Sequence, residues 1–84
     1  IELLVNNHPG VMSHITGLFS RRAFNLEGIL CGAINGGEQS RMYLMVREDK
    51  RLAQLLKELG KLYDVKTVAL RNDLDARVFQ VERP

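Results

Sequence analysis

Cysteine is nearly missing from this sequence, blocks of like charge are absent, and each shortage closes off a class of function. Of 84 residues only Cys31 carries a thiol, so the chain builds neither an internal disulfide framework nor a thiolate metal centre by itself, and a reducing compartment fits best. No apolar run approaches the roughly 20 residues a bilayer-spanning helix needs, and no leader-like pattern precedes the first strand pattern. The expectation is therefore a cytoplasmic protein without membrane association. The 12 basic and 10 acidic residues leave a net charge of +2. They are scattered along the chain and give no concentrated footprint for nucleic acid.

Chemistry-bearing constellations are also scarce. His8 and His14 stand six apart across a helix start, a poor spacing for chelation, and no carboxylate cluster or second cysteine joins them. No Ser/His/Asp or Cys/His order stands out, and Glu27, Glu38, Glu48 and Asp49 fall where a solvated face or a hairpin accounts for them. Gly32, Gly36 and Gly37 lie in a strand and a turn instead of opening a helix, so they do not form a phosphate cradle. No catalytic residue, metal site or cofactor is expected in this chain.

What remains is a strongly patterned 45% hydrophobic sequence, sized for one domain whose core is marginal alone and which self-association would complete. Ile1, Leu3 and Val5 alternate with polar neighbours and predict a strand; since the chain opens inside that pattern, it reads as the ordered part of a longer polypeptide. Val11 to Arg22 predicts a helix with Met12, Ile15 and Phe19 on one stripe, widened by Val11 and Leu18. Asn25 to Ile34 and Ser40 to Arg47 predict two strands joined through Asn35-Gly36-Gly37, residues that accept the positive φ of tight hairpins. In the third strand Met42, Leu44 and Val46 would face the core. Leu52, Leu55, Leu56 and Leu59 give the i, i+3, i+4, i+7 spacing of a second helix, with Gly60 as terminator, and Val65 to Leu70 a fourth strand. Asn72 to Asp75 breaks it before an alternating tail, Val78 to Val81.

The order β-α-β-β-α-β is that of an α+β, ferredoxin-like split βαβ fold: a four-stranded antiparallel sheet with two helices on one face. The expected domain is residues 1–72, with 73–84 as a C-terminal tail or the start of a further segment. The other sheet face would carry Leu4, Ile29, Cys31, Tyr43, Met45, Val68 and Leu70, too apolar a set for open water. RNA-binding modules share this order, but they need stacking aromatics on the middle strands, where Tyr43 stands alone.

The loop Asn7-His8-Pro9-Gly10-Val11 is the strongest functional candidate. In its bland form it is a strand-to-helix connection with a cap, a starter and a turn residue. In its functional form the unpaired N–H groups of the helix's first turn face a carboxylate. Asn25, which begins the second strand, could reach that helix start only from a neighbouring chain or strand edge. Together these donors and acceptors suit a zwitterionic amino acid, and Val11, Leu26 or Ile29 would favour an aliphatic side chain.

Asn7-His8-Pro9-Gly10-Val11-Met12 and the run Gly17 to Ile29, GLFSRRAFNLEGI, strongly resemble the small regulatory subunits of acetohydroxyacid (acetolactate) synthases, whose domain is an ACT domain. The resemblance covers about the first seventy residues. It implies a non-catalytic subunit of branched-chain amino acid biosynthesis that binds and activates a separate catalytic subunit carrying thiamine diphosphate, FAD and Mg. It also implies feedback inhibition by valine or a related amino acid. In the family two ACT domains form a homodimer through sheet edges and helices, giving an eight-stranded sheet with effector at the interface. Carried over by position, Asn7, Gly10 and Val11 match the loop contacts, His8 and Pro9 lie within that loop, and Asn25 and Leu26 match the start of the second strand. Longer members carry a second domain. The alternative is a non-sensing ACT module that only assembles or activates a partner enzyme.

Overall fold

The computed structural model describes residues 1–7 and 9–71. His8, the break at Asn72 to Asp75 and the alternating tail lie outside the described residues. The elements run β1 (Glu2–Asn6), α1 (Val11–Arg21), β2 (Leu26–Ile34), a short 3₁₀ turn (Asn35–Gly37), β3 (Gln39–Val46), α2 (Leu52–Lys61) and β4 (Val65–Ala69). The sheet order is β2-β3-β1-β4, antiparallel at every pairing. Because β3 inserts between β1 and β2, α1 crosses over a strand, the hallmark of the split βαβ arrangement. The hairpin turn takes the backbone its residues permit, with φ of 52° at Asn35, 70° at Gly36 and 94° at Gly37.

The core lies between sheet and helices. Leu3, Val5, Met42 and Leu44 rise from β1 and β3 to meet Ile15, Leu18 and Phe19 of α1 and Leu55 and Leu59 of α2, all of them buried. Phe24 closes one end with its ring at 89° to Phe19 and 6.0 Å between centroids, the edge-to-face geometry aromatic quadrupoles favour. Val11, Ile15, Leu18 and Phe19 form the buried stripe of α1, whereas Met12, expected within it, lies at its margin and is 37% exposed. Gly60 does not end α2. The helix continues through Lys61, and Leu62 turns it extended at φ −68°, ψ 134°.

Two β-bulges overturn the expected face of several residues. Leu26 pairs with Val46 but Gly28 pairs with Met45, so Glu27 is an extra residue in β2 and the alternation flips after it. Ile29 and Cys31 consequently pair with the core residues Leu44 and Met42 and point to the helix side, not the open face. The same occurs in β4, where Val5 pairs with Val65 but Leu4 with Thr67; Lys66 is extra, and Val68 joins Leu3 on the helix side and packs against the core. Leu4, Tyr43 and Met45 do occupy the open face, and Leu70 lies past the end of β4, 47% exposed.

The flip leaves β2 unusual. It is a nine-residue strand, LEGILCGAI, and among the described residues it has a neighbour on one side only. Ile29 is 39% exposed on the helix side and Leu30 43% exposed on the other.

Candidate functional site

The connection from β1 to α1 is pinned to the β2–β3 hairpin. The Asn7 backbone N–H donates to the Glu38 carbonyl at 3.0 Å, and its side-chain Nδ2 donates to the Gly37 carbonyl at 2.8 Å. That side-chain bond is what sequence reasoning missed. The consecutive glycines, both at positive φ, leave a turn carbonyl for a nearby amide to reach, but only the fold brings position 7 beside position 37. With Nδ2 engaged, the Asn7 side-chain oxygen accepts no hydrogen bond among the described residues.

Gly10 is the N-cap of α1, in the left-handed region at φ 92° and ψ −15°. Its carbonyl accepts the first helical hydrogen bond, from His14 N–H at 3.0 Å. The helix has no side-chain cap hydrogen bond and no acidic residue in its first turn. Its positive dipole end therefore carries no built-in counter-charge, and first-turn amides are the groups an anion would meet. Val11 is buried and seats the helix, while Pro9 and Gly10 are exposed. Exposed first-turn amides of this kind are donors whose hydrogen bonds a carboxylate could accept.

Asn25 and Leu26 stand elsewhere in the same protomer. Leu26 pairs with Val46 at one end of β2, while Ile34 pairs with Gln39, which pairs with Asn6 beside Asn7, at the other. Eight residue steps of extended strand separate the two ends by about 27 Å. Asn25 is exposed and Leu26 packs against the core margin. A single chain thus assembles the loop contacts and leaves the second-strand contacts at the far end of the sheet. Among the described residues no group of three or more His, Cys, Asp or Glu could hold a metal ion, and no helix is long and apolar enough to cross a membrane.

The βαββαβ order, the β2-β3-β1-β4 sheet and the loop before α1 place the molecule among the ferredoxin-like ACT domains. Residues 1–67 match the family described as AHAS small subunit-like ACT domain. The chain is 51% identical over 79 residues to the acetolactate synthase isozyme 1 small subunit of Escherichia coli K12, covering 94% of this chain and 81% of that one. It is 39% identical over 74 residues to the acetolactate synthase small subunit of Mycobacterium bovis, covering 87% of this chain and 44% of the longer relative. The crystal structure of the Thermotoga maritima acetolactate synthase small subunit superimposes with a TM-score of 0.70 at 37% identity, over 79% of this chain and 42% of that one. The chain belongs to the ACT-domain family of acetolactate synthase small subunits.

Proposed function

We propose that this chain is a feedback-regulatory subunit that pairs with itself through β2 and binds valine, or a related branched-chain amino acid, between protomers. The observation that carries the reading is the geometry of β2. Its start holds Asn25 and Leu26, its end abuts the Asn7 hairpin, and its outer edge has no neighbour among the described residues. Antiparallel pairing of two such edges about a two-fold axis sets the start of one β2 beside the end of the other. Asn25 and Leu26 of one protomer then face Asn7, Pro9, Gly10 and Val11 of its partner, with His8 within the same loop. The helix-start amides would take the effector carboxylate, the asparagine oxygens its ammonium, and the Leu26 and Val11 side chains its aliphatic group. The exposed Ile29 and Met12 would meet their counterparts across the axis, covering surface that one protomer leaves to water.

Effector bridging two protomers stabilises one dimer geometry, and a coupling of about 1–3 kcal/mol gives a 5- to 150-fold response. In this reading a separate catalytic subunit receives the signal in the cytoplasm. Thiamine diphosphate, FAD and Mg belong to that subunit, and the sensing unit ends near residue 72. The test is calorimetric titration of the chain with valine, leucine and isoleucine while sedimentation follows the dimer. Selective, saturable binding that tightens the dimer and is lost in Asn25→Ala supports the sensor. A stable dimer indifferent to all three amino acids would leave the non-sensing assembly module instead.

A further inference from the structure

Although basic residues are scattered along the sequence, the fold gathers four of the twelve, Arg21, Arg22, Lys50 and Arg51, around one open groove of about 620 Å³. It runs between the C-terminal end of α1 and the N-terminal end of α2, floored by the buried Phe24 and Leu55. Two guanidinium groups are locked in place. Arg22 grips Glu58 with Nε at 2.9 Å from Oε2 and Nη2 on Oε1. Arg51 grips Asp49 through Nε and Nη2, both at 3.1 Å, donates from Nη1 to the Arg22 carbonyl at 3.0 Å, and lies over the Phe24 ring 5.2 Å from its centroid. Hydrogen bonds from Arg51, with a smaller contribution from Lys50, hold the Asp49 carboxyl below its ordinary range. Arg21 and Lys50 themselves make no salt bridge among the described residues. At the start of α2 the Asp49 carboxylate accepts the Arg51 N–H at 2.7 Å, and the negative end of α1 lies alongside, so the groove's positive field comes from its basic side chains and not from a helix dipole.

We propose that this groove docks an acidic segment of the catalytic subunit, a stretch of chain presenting at least two carboxylates to Arg21 and Lys50. The inference rests on the partner named under Proposed function and adds the surface and its chemistry. The groove already binds carboxylates in fork geometry twice, within its own chain. The Arg22 and Arg51 side chains are 57% and 52% exposed, and water screens any single ion pair so placed. A free small anion therefore gains little here. A protein segment sums several such contacts and offers backbone groups to the Gln54 amide. The dock also lies at the opposite end of α1 from Gly10, about 16 Å away along an 11-residue helix.

Charge reversal tests it. Arg21→Glu with Lys50→Glu is compared with Lys61→Glu plus Lys66→Glu, which makes the same change in net charge at exposed positions outside the groove. Sedimentation titrations of each small subunit against the catalytic subunit are run at about 0.05 M and 0.5 M salt. The groove pair should weaken association about tenfold or more at low salt, with the difference shrinking at high salt, while the control pair stays within about twofold of wild type. Retained dimer and circular dichroism certify folding, and Arg21→Ala with Lys50→Ala, expected to lose about threefold, serves if the reversal does not fold. A groove variant that binds like wild type, or a control that weakens as much, overturns the groove as the dock. Wild type forming no complex at all overturns the partner reading and the dock with it.

Discussion

Replacing Gly10 by alanine separates the strain of the α1 cap from any role in ligand binding. The position lies at φ 92°, and a Cβ built there meets no atom within 4 Å. The penalty is therefore conformational and not steric. Holding an L-residue in the left-handed region costs about 1–2 kcal/mol, and the stiffer unfolded chain returns about 0.4–1 kcal/mol. The mid-range values leave a net loss of about 0.8 kcal/mol, and at about 4–8 °C per kcal/mol for a domain this small the melting temperature falls by about 3–6 °C. Thermal and urea unfolding at one fixed protomer concentration measure it, because a dimer's midpoint moves with concentration.

D-Alanine at the same position, introduced by chemical synthesis, has an equally bulky Cβ but accepts positive φ without strain. It should match or exceed the glycine protein in stability. An L-alanine variant as stable as wild type, or a D-alanine variant that loses as much as the L form, would refute the left-handed cap as the reason for glycine. Gly10→Asp keeps the strain and adds a charge where the effector carboxylate is proposed. Two like charges about 4 Å apart repel by about 1–4 kcal/mol between bulk-water and surface conditions. Valine affinity should then fall about tenfold or more, while Gly10→Ala changes it by only a few-fold.

Ile29→Lys places a charge on the uncovered β2 strand and should shift the proposed dimer to monomer in sedimentation runs, with monomer secondary structure preserved. Leu3→Ala removes a fully buried side chain between both helices and the sheet and should cost about 2–5 kcal/mol in urea unfolding. Asn7→Ala forfeits one exposed hydrogen bond to Gly37, about 0.5–1.5 kcal/mol at most, so a larger loss would mark that bond as the hairpin's main tie. The Glu2 carboxyl is held below its ordinary value of 4.5 by the hydrogen bond from Arg71 and then that from Tyr43, and Asp49 below 3.8 by Arg51. Depressed folded values mean this stabilisation is present above the ordinary range and lost as pH falls through the folded values. Urea midpoints should therefore drop as pH falls below about 4, and Glu2→Gln with Asp49→Asn should flatten that limb.

Element type and order were readable because each segment carries its own period: Leu52, Leu55, Leu56 and Leu59 can only align on a helix, and Met42, Leu44 and Val46 only on a strand. The faces of β2 and β4 were not readable beyond one residue. A bulge is set by the pairing of two strands, and nothing local at Glu27 or Lys66 announces that it will be skipped. The Asn7 to Gly37 bond and the basic groove escaped for a related reason. Each joins residues that the fold alone brings together, 30 positions apart in the first case and across both helices in the second.

The bulge at Glu27 also ties these threads to function. Had β2 continued its plain alternation, Leu26 would share its face with Gly28 and Leu30, and Ile29 would turn to the open face. The extra residue keeps Leu26 against the core beside Asn25 and swings Ile29 to the helix side, beyond the cover that α1 provides. An isolated domain gains nothing from a half-exposed isoleucine there. A second copy entering along the same edge would bury it, align its own Asn25 with the Asn7 hairpin, and satisfy the outer row of β2 backbone groups at once. Deleting Glu27 removes the extra residue and leaves a regular ladder in which Leu26 and Ile29 keep the helix side and Leu30 the open side, so if the faces alone matter, self-association and effector binding should both survive. A variant that lost effector affinity but dimerised like wild type would separate the two and show that the bulge serves the niche alone.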